Sequence, residues 1–264
     1  MTAYENSAFN GISNDTDRVE KSATLSGGAA VNKDQLATYE RFLQFQRLIN
    51  LYDTQSAVIP KKIGNPAPLG LCAFALTTFI LSMYNAGATV PVTAHPGVVL
   101  GSAMFFGGLV QLLAGMWEFK AGNSFGALAF SAYGGFWLSV AALYVKAFGF
   151  LDDYNDDHVT INNALGVFFL GWTIFTFAMF IASHRTNGVL MALFFFLTLT
   201  FILLTASKFQ NDHLNLKRAA GAFGILTSAI AWYGAFAALL TPDTSYFALP
   251  VYDLSKKAII STIV

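Results

Sequence analysis

Polar and apolar positions in this chain are segregated into blocks rather than mixed at a helix or strand period. Residues 1–62 are polar, with Ser, Asn, Asp and Gly scattered among charges. After them come six apolar runs, at 66–88, 97–117, 124–146, 160–183, 188–207 and 219–240. A helix that crosses the hydrocarbon of a bilayer needs about 20 mostly apolar residues, and each run is long enough. The breaks between them are short and carry turn-forming or charged residues: Pro91 and Pro96, Lys120 to Asn123, Asp152 to Asp157, His184-Arg185, and Lys208 to Arg218. The pattern predicts an all-α membrane protein of six transmembrane helices. It comprises a polar N-terminal tail over 1–62, a six-helix domain over 63–242 and a C-terminal tail over 243–264.

Composition agrees with that reading. Of the 264 residues 55% are hydrophobic and 11% charged, with 26 Phe. A water-soluble domain carries about 25% charged residues, whereas a lipid-facing surface needs almost none. Net charge is zero, so nothing points to a nucleic-acid partner. The lone Cys72 cannot form an intrachain disulfide, and no Cys or His spacing suggests a metal; no cofactor is expected. The N-terminus lacks the early apolar core of a secretory signal. Residues 1–33 read as disordered, and the Asn14-Asp-Thr sequon is not expected to be used in a cytosolic tail.

Orientation follows from Lys and Arg near the helix ends. Both termini share one side, together with Arg47, Lys61, Lys62, Lys120, Arg185, Lys256 and Lys257. The other side has Lys146, Lys208, Lys217 and Arg218 with the acidic 152–157 loop. Cytoplasmic termini are therefore expected, although the last loop dissents. Residues 36–52 put Leu36, Tyr39, Leu43, Leu48, Ile49 and Tyr52 near one helical stripe. That suggests an amphipathic helix, either on the inner leaflet or packed on the loops of its own protein.

The spans also repeat weakly. Leu69-Gly70, Thr77 and Phe79 in the first recur as Leu165-Gly166, Thr173 and Phe175 in the fourth. The third and sixth open on similar Ala-Gly segments (121–128 and 220–226) and share Tyr133 to Phe136 against Tyr233 to Phe236. This predicts a 3+3 inverted repeat with a solute path between the halves.

Polar residues inside spans usually face a partner helix or a water-filled path. Between Thr54 and Leu151 the only acid is Glu118. It shares a helical face with Gln111, and Gly107, Gly108 and Gly115 lie alongside. Gln111 is either a path-lining group or interhelical glue. Glu118 is either functional or a surface partner of Lys120. Asn65, before Pro66 and Pro68, is a natural N-cap; the positive end of that helix could also attract a carboxylate. The histidines at 95, 158, 184 and 213 fall in loops and receive no role. No serine elbow, His-Glu-x-x-His pair or phosphate loop is present, so no enzyme is expected.

Three segments together resemble one family: Asn65-Pro-Ala-Pro-Leu-Gly-Leu71; Gly107 to Gln111 followed by Ala114 to Gly126; and Ala129 to Leu138. They are similar to the acetate uptake transporters, which include bacterial succinate–acetate permeases and fungal acetate and ammonia-export proteins. The resemblance covers about residues 63–240. It implies homohexamers of six-helix protomers, here expected in the plasma membrane, that carry acetate or related short carboxylates either coupled to protons or in a channel-like manner. It also implies an apolar constriction of Phe74, Tyr133 and Leu197, with Gln111 and a small residue, Ala231, beside the path. One departure stands out: extra residues, Lys61-Lys62 among them, precede Asn65.

A carboxylate crossing an apolar ring loses its hydration, at high cost to a bare anion. Thr77, Thr78, Gln111 and the Tyr133 hydroxyl are expected to replace part of it, and Asn65 and Glu118 to stand where substrate enters. With no other ionisable group expected mid-membrane, a coupled proton would travel as acetic acid or through Glu118. The alternative readings are a sensor responding to acetate or ammonia, and an ammonia channel.

Overall fold

The structure is a computed structural model and describes residues 33–58, 63–243 and 245–255. The readings of residues 1–32, including the Asn14 sequon, and of Lys61-Lys62 lie outside the described residues. The chain forms two units, Met1–Lys62 and Ile63–Val264.

In the first unit, Lys33–Val58 is one helix, α1. Its apolar side chains do not line the expected stripe. Tyr39 and Leu48 are nine residues apart, and nine steps of about 100° end half a turn away, so they project from opposite sides. Tyr39, Phe42, Phe45, Leu48, Ile49 and Leu51 are all exposed within their own unit. Leu36 and Tyr52 belong to side chains outside the described set.

Among its described residues the second unit holds six helices long and apolar enough to span a bilayer. They are α2 (Ala67–Ala86), α3 (Gly97–Lys120), α4 (Ser124–Tyr144), α5 (His158–Ser183), α6 (Gly188–Phe209) and α7 (Leu214–Leu239). The largest departure from the sequence boundaries is at α7, which starts five residues earlier than expected. Leu214 to Arg218 is helical rather than loop, because Leu, Lys and Arg are good helix formers and the long cationic stems can follow the helix to its wet end.

The helix starts are written locally. Asn65 Oδ1 accepts from the Ala67 N–H at 3.0 Å, and Asn123 and Asn187 accept from the Gly126 and Leu190 N–H groups at 3.0 and 2.9 Å. Asp157 accepts from the backbone of Val159 and Thr160 and from the Thr160 hydroxyl at 2.6 Å. The hydroxyl bond, with the backbone bonds behind it, holds the Asp157 carboxyl below the usual carboxylate range. These side chains satisfy N–H groups that a helix start leaves without intrahelical partners.

Three consecutive helices pack together at each end of the domain: α2, α3 and α4, then α5, α6 and α7. The two halves meet along two unlike seams. Along α2–α7 the backbones nearly touch: a Cβ on Gly221 would collide with Ala86, and one on Gly224 with Ser82. Along α4–α5 large rings fill the space, with Phe136 against Trp172 (centroids 5.0 Å) and Phe168 (6.0 Å). The paired motifs of the repeat accordingly sit in different surroundings. Tyr133 and Phe136 are buried, whereas Tyr233 and Phe236 are exposed, and the Tyr233 hydroxyl donates to the Pro250 carbonyl at 2.8 Å.

The outward face of α5 carries Val167, Leu170, Ile174, Phe177 and Ile181, all exposed at three- and four-residue spacing. An apolar stripe of that length suits hydrocarbon rather than water. Part of the C-terminal segment is tied down. The Gly188 N–H donates to the Tyr252 carbonyl at 2.9 Å, and the Leu254 N–H to that of Thr186 at 3.1 Å.

Candidate functional site

Inside α3, residues Phe105–Val110 form a π-helical turn that ends at Gln111. Such turns interrupt the α register and recur at functional sites. Glycine makes the local crowding tolerable. A Cβ on Gly107 would stand 2.6 Å from Thr77 Oγ1, and one on Gly134 2.8 Å from the Leu112 nitrogen. Thus α3 is held tightly between α2 and α4, and Gln111 is turned inward with 1% of its surface exposed.

Two cavities lie at opposite ends of the bundle. The first, about 80 Å³, is lined by Leu71 and Phe74 from α2, Gln111 from α3, Phe130 and Tyr133 from α4, and Phe194 from α6; Asn123 closes one side. Its walls are apolar except for the two amides, and the side-chain oxygen of Gln111 has no hydrogen-bond partner. The second, about 290 Å³, lies at the other ends of the same helices. Leu81, Tyr84, Val99, Val140 and Leu204 line it, together with Lys208, Asp212 and Lys217. Between the two linings, α2 contributes residues 75–80, α4 residues 134–139 and α6 residues 195–203. At 1.5 Å per residue the gap along α2 and α4 is on the order of 10 Å.

That gap is filled by packed side chains. Phe74 meets Tyr133 edge-on at 5.7 Å, and Phe136 meets Phe201 edge-on at 5.3 Å. Leu197, Trp137 and Ala231 are buried in the same cluster. The structure therefore brings Phe74, Tyr133 and Leu197 into one buried cluster. Phe136, Trp172 and Phe201, which the sequence reading did not single out, belong to it too. Their signal was present only as Phe-rich helix, which cannot say which rings turn inward.

The remaining residues divide. The Tyr133 hydroxyl is already bonded to Thr176 Oγ1 at 2.8 Å, so it is not a free hydration substitute. Thr77 is sealed against α3, its hydroxyl a long 3.5 Å from the Ser102 carbonyl, and lines neither cavity; Thr78 has a buried hydroxyl without a partner. Asn65 is exposed and spends its oxygen on the cap. Glu118 is not a surface partner of Lys120. It is 1% exposed, accepts from Asn123 Nδ2 at 2.8 Å, and keeps one oxygen without a partner. Asn123, unnoticed in the sequence, thus caps α4, holds Glu118 and faces the first cavity. His158 begins α5 rather than lying in a loop.

The second cavity carries the charge. Lys208 Nζ is 2.8 Å from Asp212 Oδ1, and Lys217 Nζ is 3.0 Å from Asp212 Oδ2. Burial pushes the Asp212 carboxyl up, but the two ammonium groups outweigh it and hold it below the usual carboxylate range.

Residues 50–256 match the model of the GPR1/FUN34/yaaH family. The chain is 51% identical over 188 residues to Accumulation of dyads protein 2 of Saccharomyces cerevisiae, covering 70% of this chain and 64% of that protein. The match therefore spans less than two thirds of that relative. It is 44% identical over 205 residues to Acetate permease A of Emericella nidulans, covering 74% of this chain and 68% of the relative. The solved structure of the bacterial acetate channel SatP superposes with a TM-score of 0.61 at 34% identity, covering 72% of this chain and 99% of the channel.

Proposed function

We propose, given that the chain belongs to the GPR1/FUN34/yaaH family, that it carries acetate and related short carboxylates across the plasma membrane between the two cavities. The observation that supports this best is the Gln111 amide, buried in a largely apolar cavity with its oxygen unpartnered. An amide offers an acceptor and donors side by side. A neutral carboxylic acid offers the matching O–H and carbonyl. A bare carboxylate would find only the donors, while losing hydration at a cost of several kcal/mol or more.

The reading that follows is proton-linked movement in the acid form. In it Phe74, Tyr133 and Leu197 set the size limit. Thr77, Thr78 and Ala231 support them from behind, and Asn65 and Glu118 flank the mouth near the chain ends. Glu118 is the reserve route for a proton: one oxygen accepts from Asn123 at the cavity wall, and the other has no partner. Cytoplasmic termini and a homohexamer with one path per protomer complete the proposal. The bacterial acetate channel and the acetate permease among the similar proteins support the choice of cargo.

Proteoliposomes containing the purified chain should take up labelled acetate faster than empty liposomes, and faster still when the outside is made acidic. Uptake equal to that of empty liposomes under both conditions would refute the proposal.

A further inference from the structure

The second cavity holds more charge than the path's first cavity and more than its own structure requires. Three of its lining groups form a chain: Lys208, Asp212 and Lys217. Lys208 also reaches Asn162 Oδ1 at 3.3 Å. An ammonium has three donors and a carboxylate none. Lys208 donates a hydrogen bond to Asn162 and Lys217 one to Asp212 Oδ2, while Lys208 meets Asp212 Oδ1 as an ion pair alone, so the pair retains unspent donors. Asp212 is the sole acid among the described lining residues. Two cations against one anion leave one positive charge over. The side chains of Lys208 and Lys217 are 13% and 19% exposed. A charge so placed is screened less than one on an open surface.

The surroundings select what could answer that charge. Leu81, Val99, Leu100 and Leu204 form an apolar wall beside the ion cluster. A small organic anion with a short hydrocarbon end fits both features; an inorganic anion fits only one. We propose that this cavity is a collecting site for a single small monocarboxylate anion, bound by Lys208 and Lys217 with its hydrocarbon end on the apolar wall. Asp212 is the built-in competitor. By occupying part of both ammonium groups it keeps the site weak enough to release its guest, as conduction through a multi-site path requires. The proposal rests on the transport reading for its purpose but not for its chemistry.

The two kinds of residue make opposite predictions, and that separates the proposal from a purely structural role. In proteoliposomes, Lys217→Gln should raise the half-saturating acetate concentration about fivefold, the size of one partly exposed ion contact. Asp212→Asn should lower it, and Lys217→Arg should stay near the parent. Lys208→Gln should match Lys217→Gln; if it does not fold, Lys217→Gln carries the test alone. Half-saturation unchanged in both Lys217→Gln and Asp212→Asn, with flux intact, would overturn the proposal and leave the transport reading standing. So would shifts in the same direction.

Saturation-transfer NMR with acetate on the same purified proteins covers the other failure. If the parent shows no flux, the transport reading falls, and the binding signals decide the site independently. A signal weakened by Lys217→Gln and strengthened by Asp212→Asn supports it; equal signals refute it.

Discussion

The two cavities are built from the same helices and have almost nothing chemical in common. The first is small, walled by rings and aliphatic groups, and its polar groups are the neutral amides of Gln111 and Asn123. The second is larger and carries two lysines and an aspartate. A site of the second kind holds ions in water's company; a site of the first kind tolerates only what can shed charge or find an amide. Between them stands a plug of packed aromatic rings with no charged group on the intervening stretches of α2, α4 and α6. On the transport reading, charge is handled at one end and neutrality is demanded at the other.

The largest expected effect removes the amide that defines the first cavity. Gln111→Leu preserves volume but leaves no acceptor or donor, and should cut maximal acetate uptake by about tenfold, the worth of one buried hydrogen bond. Uptake kinetics in proteoliposomes check this, and an unchanged maximal rate would detach Gln111 from the path. A smaller effect separates the two jobs of Asn123. Asn123→Ala and Asn187→Ala each remove a helix cap, worth about 1 kcal/mol. Asn123→Ala also strips Glu118 of its donor, so its unfolding midpoint in detergent should fall further than that of Asn187→Ala.

The smallest effect concerns the charged cavity. Asp212 has a folded-state pKa below its unfolded value near 3.9, so its ionised form stabilises the fold. That contribution is complete above the unfolded value and is lost as pH falls through the folded one. The thermal midpoint of the parent should drop below about pH 4, and Asp212→Asn should flatten part of that drop. Identical pH profiles would mean that the lysine pair contributes nothing to stability.

Much of this was legible in the residues, for identifiable reasons. Six spans follow from apolar block length alone, and the helix start at Asn65 follows from a short polar side chain just before Pro66 and an apolar run. Inward-facing residues were harder to read. In a lipid-facing helix both sides are apolar, so periodicity does not separate Phe136, which is buried, from Phe236, which is exposed. The stripe expected on α1 fails for the same kind of reason, since its apolar residues go round the helix. The lysines at 208 and 217 entered the reading only as a dissent from the charge rule. Their pairing through Asp212 depends on a four-residue turn that closes two helix ends on one another. Glu118 stayed open between a functional group and a surface acid because its neighbour in sequence is Lys120; its partner in space is Asn123.

On the transport reading, cargo passes between the cavities through the plug containing Phe74 and Leu197. The most direct test is the ratio of butyrate to acetate uptake in proteoliposomes of the parent, Phe74→Ala and Leu197→Ala. Removing either side chain enlarges the narrow point, so both variants should raise that ratio by about tenfold, the discrimination that a methylene or two commands in an apolar pocket. If both variants fold, carry acetate and keep the parent's ratio, the path lies elsewhere and the account is wrong.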